Sequence, residues 1–163
     1  AATMAGNAAA HAEPAPPLQI DWSSLLPEKE RQNVQAPAPP AMHDYLGEGD
    51  ITALQTGSYE ANHALDGKRI KVPGFVVPLE RSADGRISDF LLVPYFGACI
   101  HLPPPPPNQV VYVRMRAGTG VRSIDDAIWV TGTLRTALHR SDMGAAVYTL
   151  DGEKLEPYRH AQP

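Results

Sequence analysis

Five prolines in succession, Pro103-Pro104-Pro105-Pro106-Pro107, constrain this chain more than any other stretch, because they carry no backbone donors and fix their own φ angles. Such a run settles into polyproline II at ~3.1 Å per residue, a stiff spacer of roughly 15 Å. It is entered through Gly97-Ala98-Cys99-Ile100-His101-Leu102 and left through Asn108-Gln109. What it holds in place is the only cysteine of the chain, with a histidine two residues on. A metal site, a thiol site and a rigid docking loop all fit that pairing.

The chain has 163 residues, enough for one domain of ordinary size or a smaller one with tails. Its 17 prolines and 13 glycines are many for that length, and its net charge of −4 argues against bulk electrostatic binding of nucleic acid, which needs clustered Lys and Arg. A single cysteine excludes an internal disulfide framework. No stretch approaches the roughly 20 apolar residues of a membrane-spanning helix, and no secretory signal stands at residue 1. A removed signal or lipid anchor stays compatible with a chain that begins at Ala1.

The composition divides the chain into an Ala- and Pro-rich N-terminal arm, residues 1–43, and a domain over residues 44–163. The arm reads as flexible, or as an extended surface-wrapping segment. Within it the island Ile20-Asp21-Trp22-Ser23-Ser24-Leu25-Leu26 could dock as one helical turn capped by Asp21 or Ser23. From residue 68 the pattern becomes one of strands and turns. Strands are expected at 69–80, bent at Pro73-Gly74, then at 87–96, 110–116, 127–135 and 145–150, with a hairpin turn at Asp84-Gly85. Five strands with a bent first strand predict an all-β fold, a five-stranded OB-like barrel, with a sandwich as the rival.

The segments Gly74-Phe75-Val76-Val77-Pro78-Leu79-Glu80 and Phe90-Leu91-Leu92-Val93-Pro94-Tyr95-Phe96-Gly97-Ala98-Cys99-Ile100-His101, followed by the proline run and Asn108-Gln109, resemble the bacterial domain-of-unknown-function family 3299. The resemblance spans roughly residues 66–150. It implies an exported envelope protein, periplasmic or membrane-tethered, encoded beside ABC transporters and in some bacteria beside zinc-responsive genes. It implies no established activity.

If residues 89–101 run extended, Tyr95, Gly97, Cys99 and His101 share one face. A thiolate and an imidazole there would suit zinc, or copper(I). Two ligands do not complete a site, so Glu80, His63, His139, Met143 or a second subunit would have to supply the rest, with Glu80 and His139 the named candidates. Against this stands a buried, inert Cys99 with His101 bonded to backbone. Nucleophilic catalysis is disfavoured, because side chains two apart on a strand stand about 7 Å apart and transfer protons poorly. Arg114 and Arg116 share a strand face that could meet an anion or simply be solvated. The expectation is therefore a noncatalytic envelope binding protein, zinc-related and accessory to an ABC transport system, without nucleic acid or a membrane span. The alternative is a metal-free protein-interaction adaptor presenting Tyr95, Pro103, Pro105 and Pro107.

Overall fold

The computed structural model describes residues 14–32, 55–99, 102–116 and 119–159. A two-residue strand, β1 (Leu18–Gln19), precedes the long β2 (Arg69–Arg81), whose alternating small and β-branched residues suit a pleated surface. The bend expected at Pro73-Gly74 is where β2 changes partners. Up to Gly74 it pairs antiparallel with β5 (Ile128–Arg135), and from Phe75 onward antiparallel with β3 (Ile87–Val93). Gly74 is required there by close packing: a Cβ would stand 2.7 Å from Leu92 Cγ and 3.0 Å from Trp22 Cζ2.

Strand β4 (Val111–Met115) pairs antiparallel with β3 and parallel with β8 (Tyr148–Pro157), which returns antiparallel to β5. The circuit β2-β3-β4-β8-β5-β2 closes, giving the five-stranded mixed barrel that the sequence predicts, in OB-like order. Its fifth strand is displaced from the expected 145–150. Residues 139–146 instead form a small hairpin, β6 (His139–Ser141) with β7 (Gly144–Ala146), and the strand proper continues through Asp151-Gly152-Glu153-Lys154. Those residues look like a turn in sequence, but Glu153 and Glu156 pair with Arg69 at 2.9 Å and Lys71 at 2.7 Å on the barrel's outer surface. Gly152 leaves the space that the Met115 sulfur fills.

Alternation sorts the strands into two faces. Phe90 and Leu92 of β3, with Val111, Val113 and Met115 of β4, join Ile70, Val72, Val130, Leu134 and Leu150 in the interior cluster. Leu91 and Val93 point the other way, into a second apolar cluster outside the barrel wall.

The island of the arm docks. Asp21 Oδ1 accepts from Ser24 N at 3.0 Å and caps a 3-10 turn over Trp22–Leu25. Leu25 is fully buried in the interior cluster, and Trp22 Nε1 donates to the Pro73 carbonyl at 2.8 Å. The Tyr148 hydroxyl, itself buried, donates to Leu25 O at 2.5 Å and accepts from Asn62 N at 2.7 Å. Before Pro14 and between Gln32 and Gln55, the arm and the segment after it lie outside the described residues.

Candidate functional site

Pro94 closes β3 one residue after Val93, because its nitrogen has no proton for the ladder. The chain then turns: Gly97 has φ 84°, Cys99 has φ 65°, and Leu102 N donates back to Gly97 O at 3.1 Å. The continuous extended face expected over 89–101 therefore does not form, and Tyr95 and Cys99 do not project from one strand. A left-handed φ costs a non-glycine residue about 1 kcal/mol or more. The apolar surroundings hold Cys99 there: it is 2% exposed, clustered with Val77, Leu91, Val93, Ala98, Val110 and Ala146. Burial pushes its thiol up to about 12. His101 lies outside the described residues.

The proline run is a packed strap. Pro103, Pro104, Pro105 and Pro107 are buried. Gln55 secures them by donating Nε2 to the carbonyls of Pro105 and Ala145, each at 2.9 Å, while its Oε1 accepts from Ala145 N at 2.7 Å. Asn108, 1% exposed, donates to Glu30 Oε2 at 2.8 Å and to Glu60 O at 3.1 Å. Gln109 donates to Trp22 O at 2.9 Å. Asn108 and Gln109 thus tie the strap to the docked arm, a role their position at the run's exit did not reveal. The expected presentation of Pro103, Pro105 and Pro107 to a partner is corrected by their burial. Tyr95 remains partly open, donating to Pro103 O at 3.3 Å, beside Phe96, which is 60% exposed and edge-on to Phe75 at 5.8 Å.

The second cluster, joined by Ala146 of the β6–β7 hairpin, occupies only part of the barrel's outer face. The remainder carries Asp89 of β3, with Tyr112 and Arg114 of β4. His139, at the start of β6, lies flat on Tyr112 with centroids 3.6 Å apart and planes 7° from parallel. Its Nε2 is shielded from water and has no hydrogen-bond partner. Burial lowers the imidazole below the usual histidine range and Arg114 lowers it further, against the opposing pull of Asp89, so the ring is neutral at pH 7. Burial also raises the Tyr112 phenol, reinforced by Asp89 and Glu80 and opposed by Arg114. Arg114 pairs with Asp151 at 3.1 Å. Beside the stack runs a groove of about 300 Å³.

Glu80 is exposed at the end of β2, His139 belongs to the stack, and Cys99 is buried in the second cluster. Among the described residues no three of His, Cys, Asp or Glu come together, so Cys99, Glu80 and His139 do not form one zinc site. Among the described residues His63 joins no such group either, and Met143 packs against the second cluster.

The family described as Protein of unknown function (DUF3299) matches residues 22–157. The chain belongs to the DUF3299 family. The match begins at Trp22 and so takes in the docked segment. The chain is similar to a DUF3299 family protein from Pseudomonas aeruginosa PAO1 known from its crystal structure, with 39% identity and a TM-score of 0.74 over 90% of this chain and 99% of that one. No curated protein matches it.

Proposed function

We propose that this chain is a noncatalytic binding domain of the bacterial envelope, serving a transport system, and that it recognises its ligand on the open part of the barrel's outer face around Tyr112 and His139. The envelope setting and the transport link rest on the family resemblance and on the Ala- and Pro-rich arm. The observation that carries the choice of surface is His139 Nε2, shielded from water without a partner beside a groove. A buried polar atom left unsatisfied costs about 1–3 kcal/mol, and a ligand that displaces the side chains shielding it and bonds to it recovers that cost. The OB architecture supports the same choice, because the outer face of its second and third strands and the loop before its last strand are a common recognition surface; here these are β3, β4 and the β6–β7 hairpin.

A thermal-shift screen of chemically diverse small molecules tests this reading. Compounds that raise the melting temperature of the wild type should lose their effect in His139→Phe, which keeps an aromatic ring on Tyr112 without the nitrogen. They should keep it in Phe96→Ser. A screen without any stabilising compound overturns the reading.

The adaptor reading is favoured by one observation, the exposure of Phe96 beside Phe75 and Tyr95. It requires a partner protein whose binding is lost in Phe96→Ser and kept in His139→Phe. The zinc reading is separated from both by equilibrium dialysis. It requires zinc retained at micromolar free metal and lost in Cys99→Ser, whereas recognition in the groove requires neither.

A further inference from the structure

We infer that the groove beside the Tyr112–His139 stack binds a small anionic ligand through carboxylate or phosphate oxygens, an inference that deepens the proposed function and rests on it. The groove is lined by Arg114, Arg135, Leu138, His139, Thr149 and Asp151, among others. A second groove, of about 240 Å³, shares Arg114 and Asp151 and adds Arg116. Three guanidinium groups therefore stand along one strip of a chain whose net charge is −4.

The acids nearby make few direct pairs with them, although Asp89 stands opposite Arg114 on the ladder. Asp151 is engaged by Arg114 at 3.1 Å, and Glu153, in the second groove, is engaged by Arg69 at 2.9 Å. The guanidinium groups of Arg116 and Arg135 make no ion pair or hydrogen bond among the described residues, although Arg135 acts through space on Asp66. Guanidinium forks matched to oxyanions are the strong form of such recognition. The Thr149 hydroxyl already donates to Ala137 O at 3.1 Å, whereas His139 Nε2 is a buried polar atom at the groove without a partner.

The imidazole adds a pH dependence. His139 faces Tyr112 and Arg114 from β4, Asp89 from β3, and shares its groove with Arg135 and Asp151. A bound anion favours the protonated ring, so affinity should rise as the pH falls from 7 through the histidine range.

Titration of the isotopically labelled 163-residue chain, followed by the amide resonances of His139, Thr149 and Asp151, tests the inference. The probes are citrate for carboxylate, inorganic pyrophosphate for phosphate, and glucose as a neutral control. Saturable shifts are expected with at least one anion, and a preference between the two names the source of the oxygens. Arg135→Gln should weaken binding about tenfold or more. His139→Phe should remove the pH dependence, and Arg122→Gln, outside the groove, should change nothing. Absence of saturable shifts with both anions overturns the inference, as does unchanged affinity in Arg135→Gln. If glucose alone shifts these resonances, the anionic class falls while the groove stands; if no probe shifts them, both fall.

Discussion

The outer face of the barrel has two halves that share strands and differ in fate. In one, Val77, Leu91 and Val93 pack with Val110 and Ala146, with Cys99 sealed among them. In the other, Asp89 and Arg114 continue the outward positions of β3 and β4, with Tyr112 at the border, packed against that cluster on one side and stacked by His139 of the hairpin. The covered half is apolar and satisfied in its backbone by Gln55 and Asn108; the open half is charged and holds an unsatisfied imidazole nitrogen. Rigid chemistry next to a cysteine marks the place that the fold protects. The place left for a ligand is where the protection stops.

The largest effect that could break this contrast is Leu91→Ala. If the second cluster is a true core, the loss should be about 2–5 kcal/mol in chemical denaturation, and a loss below about 1 kcal/mol would make that cluster a loosely packed surface. Next is Asn108→Ala, which removes the donor to Glu30 Oε2 and Glu60 O and should cost about 1.5–3 kcal/mol, read as a lower denaturation midpoint at unchanged m-value. Tyr148→Phe leaves Leu25 O and Asn62 N unpaired and should cost about 1–2 kcal/mol by the same assay.

In the open half the effects should be smaller and pH-dependent. His139 has a folded value below its unfolded one, so its unfolded state takes up the proton first and stability falls as the pH drops below about 6.5. His139→Phe removes the unsatisfied nitrogen, so it should raise stability at pH 7 by about 1 kcal/mol and should remove that slope. Smallest, and away from both halves, is Glu156 opposite Trp129, held at about 2 by Lys154 and Lys71. Its contribution is present above its unfolded value near 4.5 and is lost as the pH falls toward 2; Glu156→Gln should flatten melting temperature across that window.

Much of the barrel could be read from the chain, because its signals are local. Pro73-Gly74 marked the partner change of β2, Asp84-Gly85 the hairpin, and Asp21 the cap of the docked turn. The fifth strand was misplaced because Asp151-Gly152 carries turn chemistry, while the forces that keep it in the sheet, the Arg69 and Lys71 ion pairs and the close approach to Met115, come from other strands. The site was less legible. Tyr112 and His139 are 27 positions apart, and the one available sign was that Tyr112 shares an outward strand face with Arg114. Cys99 drew attention by its neighbours in sequence, and the left-handed turn that buries it depends on Val77, Leu91 and Ala146, which sequence proximity does not link to it.

Cys99 also gives the most direct test of the contrast, since it is the chain's only thiol. Its labelling by a thiol reagent at neutral pH, with and without zinc, should be followed under native conditions and in denaturant. A thiol held at about 12 inside the second cluster should label only as fast as the protein unfolds, with no effect of micromolar zinc. Labelling of the native protein at the rate of a free cysteine, suppressed by zinc, would contradict the account and return the site to Cys99.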